Sequence, residues 1–355
     1  TFTNHSGEDN AALLWNSNVI INNPNIYIPA NGCHAAMGIP SAPENNYRLD
    51  MIASLAPPTT NISATSIFYY HTKAYVSWHV KGDPFAGYVD ILNATNRELE
   101  QTTLSGATDY NHIAVHQNKL YVAGGSFDKG GLCAVLNLGA DGLVSDLEQK
   151  IVKAQGASGN CVVGNGNDIM IASGNENGAF EVYNISTLDK ITTHPAQAAK
   201  YIEVASGKIV TLSGITNPQI SIYNLTDSYL ETPLNQFNIA SINPGNGKNV
   251  CRFDGEKIYV CLGDNGLKVY NLDGTLSVVS PIEHGSANCV DFDDQYIYVA
   301  NGVAGIYVLD KATMQLRASY KRGNTSANFI KKGNDGYLYV AYGTDGVQIY
   351  KLIVD

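Results

Sequence analysis

The sequence predicts an all-β fold: a seven-bladed β-propeller of four-stranded antiparallel blades, closed by an N-terminal strand and preceded by an irregular N-terminal extension. Three observations carry this. A two-strand hairpin recurs seven times. A shorter strand precedes each copy at a repeat of about 40–50 residues, the range of propeller blades. The chain ends just after the third strand of the last copy, so the missing outer strand of that blade must come from the other end.

The hairpin is clearest at Gln295–Lys311, where Tyr296–Ala300 and Ile306–Leu309 flank a turn carrying Asn301-Gly302 and Ala304-Gly305. β-branched and aromatic residues on either side of a Gly-containing connection are the hairpin signal. Its first strand recurs at Ala74–Trp78, Leu120–Gly124, Ile169–Ser173, Ile209–Ser213, Ile258–Leu262 and Leu338–Tyr342. The second recurs at Tyr88–Leu92, Cys133–Asn137, Phe180–Asn184, Ile220–Asn224, Leu267–Asn271 and Val347–Lys351. Outer strands are expected at Glu98–Leu104, Val144–Val152, Asp189–Thr193, Leu276–Ile282 and Gln315–Tyr320, and Tyr47–Ser54 is expected to close the ring against Val347–Leu352. The domain boundaries that follow are 1–46 for a tether and strap, and 47–355 for the propeller.

The strand preceding each hairpin opens with Asn in five copies, at Asn111, Asn160, Asn249, Asn288 and Asn328; Lys200 opens the divergent fourth copy, and Thr65-Ser66 mark the first. In a propeller this strand lines the central channel. Its first residue and the hairpin turns then gather on one face of the disc. Two roles fit the asparagines. One is mechanical, an amide capping the strand entry. The other is a ring of amides at the channel mouth that binds sugar hydroxyls, a peptide or a hydrated cation. Lys200 interrupts that ring and favours an anionic group. His112 follows Asn111. Trp78, His79, Asp83 and Phe85 in the long first turn, and Phe127 in the second, are candidate aromatic and polar contacts if exposed on that face.

Composition narrows the function classes. A net charge of −10 and the absence of any Lys/Arg run disfavour nucleic acid and anionic membranes as partners. No apolar run reaches the length of a membrane-spanning helix, so the chain itself is not expected to insert. The 22 tyrosines against 9 phenylalanines suit half-exposed strands with wet hydroxyls. Cys33, Cys133, Cys161, Cys251, Cys261 and Cys289 show no CxxC spacing, and the recurrence of three of them just after opening positions suggests small buried hydrophobes. Residues 1–46 lie outside the repeat, and Cys33-His34 there reads as part of an ordered strap. The chain starts at Thr1 without Met, from which an exported protein is expected, in the periplasm or at the cell surface and lipid-anchored upstream.

Ile297-Tyr298-Val299-Ala300-Asn301-Gly302 with Gly305-Ile306-Tyr307-Val308-Leu309-Asp310, echoed at Tyr339–Gly343 and Gly346–Tyr350, resembles the LVIVD-repeat β-propellers and, more loosely, surface-layer-type bacterial propellers. The Pro that commonly follows the Asp of that repeat is absent here. The resemblance implies an exported or envelope-associated bacterial protein; it specifies fold and no chemistry.

No GxSxG, HExxH, Walker or Rossmann pattern occurs. The reading favoured is a non-enzymatic binding or interaction module that holds a glycan, a peptide or an envelope protein at the channel mouth and needs no cofactor. The alternative is a metal-dependent hydrolase of lactonase type. It would place Ca2+ among Asn160, Asn249, Asn288 and Asn328, with Glu176, Asp264 or Asp345 supplying the carboxylate a hard cation wants and His112 as the only evident base. A third reading, a structural envelope component, predicts no ligand pocket.

Overall fold

The computed structural model describes residues 46–355 apart from 83, 147–148, 175–176, 216, 227–228, 240–247 and 280–284. Among the described residues there are 28 strands and no helices, and the strands form seven four-stranded antiparallel sheets. Within each of the first six sheets the strand order follows the chain, as a simple meander does. Expectations placed on Leu13–Ile21, Cys33-His34, Asp83 and Glu176 fall outside the described residues.

The innermost strands are Ile62–Tyr70 (β2), Asp109–His116 (β6), Gly159–Asn165 (β10), Ala199–Ala205 (β14), Cys251–Phe253 (β18), Cys289–Phe292 (β22) and Phe329–Lys332 (β26). Each second strand is buried on both faces, because its sheet is sandwiched between two neighbours; Leu338–Ala341, for example, is fully buried. That double burial explains the runs of Val, Ile, Ala and Tyr. Outer strands are more exposed, as at Lys190–Pro195.

The tyrosines of the second strands differ from expectation. Tyr75, Tyr298 and Tyr339 are fully buried, and their hydroxyls meet fixed acceptors. Tyr259, Tyr298 and Tyr339 donate to Asp254, Asp293 and Asp335 at 2.9, 2.5 and 2.6 Å. The same aspartates accept backbone N–H bonds in the turn just before the strand. One carboxylate therefore both shapes the turn and satisfies a buried phenol.

Two outer strands also differ. In place of the expected 144–152 stretch, Lys150–Lys153 joins the sheet, while Val144 makes an isolated bridge to Leu138. The fourth blade is completed by Asn235–Asn238, whose polar NQFN sequence gives no alternation to recognise.

The ring closes as the sequence predicts. Tyr47–Leu55 (β1) runs antiparallel to Val347–Val354 (β28), with Tyr47 opposite Val354, Leu55 opposite Val347 and one register shift between Met51 and Ala53. A second seam lies nearer the channel, where Ala64 N donates to Gly343 O at 3.0 Å. Gly346 sits at the closing corner with φ +86, and a Cβ there would lie 2.1 Å from Leu55 O. Only glycine fits that approach.

Removing residues 47–54 leaves β28 as an open edge and dissolves this seam. Losing seven of the eight residue pairs between these strands is expected to lower the melting temperature by roughly 10 °C or more, at a few degrees per kcal/mol for a domain of this size. A calorimetric scan unchanged by the deletion would contradict the register.

Candidate functional site

The strand-opening residues act first as joints between blades. Thr65 Oγ1 donates to Tyr110 O at 2.8 Å, Asn111 Nδ2 to Gly159 O at 3.1 Å, Asn160 Nδ2 to Ala199 O at 2.8 Å and Asn288 Nδ2 to Ala327 O at 3.0 Å. In every case the acceptor is the carbonyl just before the opening residue of the next blade. In blades one to four a register shift in the inner pairing falls at the opening residue. Such a bulge re-aims a side chain out of the pleat, here toward the neighbouring blade.

Two asparagines depart from the pattern. Asn249 is fully buried, has φ +56 and donates to Cys261 O of its own blade at 3.2 Å. Asparagine is among the few non-glycine residues that take up this left-handed conformation readily. Asn328 is half-buried and its Oδ1 accepts from Ser326 Oγ at 2.8 Å. The asparagines therefore do not present a ring of free amides.

Counting from the opening residue, the next position points into the channel, and so does the one two further on, by the period-two alternation of a strand. The first of these columns includes His112, Cys161, Tyr201, Val250, Cys289 and Phe329. His112, Tyr201 and Phe329 meet edge to face, with centroids 5.5 and 6.1 Å apart, and form a plug across the channel. The second column carries Glu203, Arg252, Asp291 and Lys331 in blades four to seven. They form a chain of ion pairs at 3.1, 3.2 and 3.0 Å. Burial pushes the Asp291 carboxyl up, but the Lys331 and Arg252 charges pull it below its ordinary value.

The plug divides the channel. The upper vestibule, of about 300 Å³, is lined by Asn111, His112, Ser158, Asn160, Lys200, Tyr201, Lys248, Val250 and Phe329. The lower one, of about 360 Å³, contains Glu203, Arg252 and Lys331. No carboxylate is among the described residues that line the upper vestibule, and two lysines are. Lys248 Nζ reaches from blade five across to blade two, donating to Asn111 O at 3.1 Å. Lys200 is half-buried and makes no hydrogen bond or ion pair among the described residues. Burial lowers both amines, that of Lys248 to about 8.

His112 is not placed to act as a base. Its Nδ1 accepts from Val162 N at 3.3 Å, and its Nε2 lies 3.3 Å from the Tyr201 hydroxyl. Burial, followed by the Lys248 and Arg252 charges, lowers its pKa to about 3. The ring is therefore neutral, with the proton assigned to Nε2 because Nδ1 faces a donor.

Of the other candidates, His79 lies in Lys73–Val80 (β3), half-buried beside the mouth. Burial and then the Lys248 charge lower its pKa to about 4, while an Asn111 side-chain hydrogen bond opposes them. Trp78 is not an exposed contact: it is 0% exposed, in the core between blades. Phe127 stands at a hairpin tip, 93% exposed, and Phe85 is half-buried. Asp264 and Asp345 are exposed on their turns, and Asp345 pairs with Arg322.

Lys248, Ser158, Tyr201 and Phe329 were not anticipated. The repeat columns do contain a signal. The residue before the opening position is Ala, Tyr, Gly, Ala, Ala and Ala in six copies and Lys248 in the fifth.

No family model matches the sequence, and no curated protein does. Among solved structures, the WD40 β-propeller domain of Doa1 matches over 85% of this chain and 96% of that one, at 12% identity and a TM-score of 0.59. This chain has the fold of a seven-bladed propeller. The likeness is one of fold alone.

Asp90, in the core beside Trp78, supplies a test of how the first blade is built. Thr102 Oγ1 donates to its Oδ1 at 2.6 Å, while Oδ2 accepts no hydrogen bond of good geometry. Burial raises the pKa of this carboxyl to about 6, prevailing over Thr102 and the Trp78 indole, which lower it. The fold thus favours protonated Asp90. That contribution is fully present below about pH 4 and is lost as pH rises through about 6. Asp90→Asn is expected to stabilise the protein by up to about 3 kcal/mol near pH 7 and to lose this advantage near pH 4, as read by urea denaturation.

Proposed function

We propose that this protein is a non-enzymatic binding module that seats its ligand in the upper vestibule at the channel mouth. The observation that carries the reading is the Lys200 amine. It is half-buried in an open polar pocket, with no counter-charge among the described residues. A desolvated, unpaired cation is costly unless something supplies the missing partner. Glycans, peptides and envelope proteins all carry groups able to do so. The resemblance of the hairpins to LVIVD-type repeats supports an exported, envelope-associated setting for such a module.

The donor set disfavours Ca2+ at this mouth. Two ammonium groups face the space a cation would occupy. The amides of Asn111, Asn160 and Asn288 are tied into the blade joints, and no described carboxylate lines the pocket. With His112 neutral and bonded at both nitrogens, the hydrolase alternative lacks a metal site and a base in this vestibule.

The test is a glycan and peptide array probed with wild type and with Ser158→Trp, which fills the vestibule. Hydrogen exchange of the best ligand's complex follows. The expected result is a ligand that protects backbone amides around 111, 159–161 and 200–201 and is lost in the variant; Lys200→Trp replaces it if Ser158→Trp does not fold. Protection confined to the outer strands, or binding indifferent to the filled mouth, would contradict the proposal.

A further inference from the structure

The upper vestibule has a more specific chemistry than an open polar pocket. Lys200 and Lys248, from adjacent blades, both line it and supply cationic donors. Lys248 is held across the mouth by the Asn111 carbonyl, so its position is set before any ligand arrives. Two ammonium donors in one pocket, one of them held in place, suit an oxyanion.

The amides ask for something else. Asn160 Nδ2 is committed to Gly174 O and Ala199 O at 3.0 and 2.8 Å. Two facing carbonyls fix which end of the amide is the NH2. Its Oδ1 is thereby an acceptor on a vestibule-lining residue, with no donor among the described residues. A bare anion would leave that oxygen unsatisfied and repel it; a hydroxyl would bond to it. The floor adds a third requirement. His112, Tyr201 and Phe329 close it with ring edges that are only 6, 4 and 3% exposed, a small apolar surface that the C–H groups of one sugar ring can cover.

We infer that the upper vestibule binds a hydroxylated carboxylate, the chemistry of a sugar acid such as a uronate, with the carboxylate between Lys200 and Lys248 and a ring hydroxyl donating to Asn160 Oδ1. This rests on the reading of the mouth as the binding site. A volume of about 300 Å³ holds one sugar ring.

The test is isothermal titration of the full chain at low ionic strength with D-glucuronate, D-glucose, acetate and inorganic phosphate. Glucuronate is expected to bind, with glucose, acetate and phosphate each about tenfold weaker or more, the scale of one charge-assisted hydrogen bond. Lys200→Met and Lys248→Met should each weaken glucuronate by about tenfold while melting within a few degrees of wild type. Lys200→Gln replaces the first if it does not fold. Acetate or phosphate equal to glucuronate would overturn the inference in favour of a plain anion site. So would glucuronate binding that survives both lysine substitutions, or no glucuronate binding at all. In those cases a neutral glycan or a peptide that still protects the mouth amides would leave the binding site standing and refute only the sugar acid.

Discussion

The architecture depends on how one blade is tied to the next at the hub. Within a blade, backbone hydrogen bonds hold the sheet. Between blades there are few such bonds, and the carbonyl before each inner strand faces the neighbour instead. A buried carbonyl needs a donor. Thr65, Asn111, Asn160 and Asn288 supply it from the preceding blade. Glycines in the hairpin turns also trade backbone bonds directly across seams, Gly263 with Ala287 and, at the seam Asn288 bridges, Gly302 with Ala327. These joints set the heights of the inner strands, and equal heights allow the channel-facing columns to meet. The aromatic plug and the Glu203–Arg252–Asp291–Lys331 chain both rely on that alignment.

The fourth blade gives up the joint. Lys200 stands where an amide would bridge to the fifth, and its side chain enters the vestibule instead. Lys248 occupies the position of the carbonyl that such an amide would have met, and it too turns across the channel. One seam of the ring therefore carries charge at the mouth in place of a mechanical link. The two departures from the repeat line the same vestibule. They concentrate positive charge in a pocket of a protein whose net charge is −10. The deeper cations behave differently, because Arg252 and Lys331 are balanced by Glu203 and Asp291.

Most of the fold was legible in the sequence. The hairpins advertise themselves through period-two patterning and glycine turns, and ring closure followed from a chain that ends one strand short. Asn235–Asn238 was illegible because a short polar outer strand buries too little to leave a pattern. Trp78 and the buried tyrosines were misjudged for a related reason. Sequence shows that a ring is amphipathic, but whether it faces water depends on the neighbouring sheet. The site was half legible. Repeat position placed Asn111, His112, Asn160 and Lys200 at the mouth, but could not show that the amides would be spent on carbonyls across the seam. Lys248 is visible only when the seven copies are aligned on their opening residue, where it breaks a column of Ala, Gly and Tyr.

The central claim is a division of labour: the opening amides join the blades, and the lysine that replaces one of them is spared that structural role and is proposed to meet the ligand. Urea denaturation of Asn160→Ala beside Lys200→Met tests it most directly. Asn160→Ala removes two hydrogen bonds to backbone carbonyls and is predicted to cost roughly 1–3 kcal/mol. Lys200→Met removes an unpaired, partly desolvated charge and is predicted to leave stability unchanged or to raise it. A destabilised Lys200→Met beside an indifferent Asn160→Ala would contradict the account.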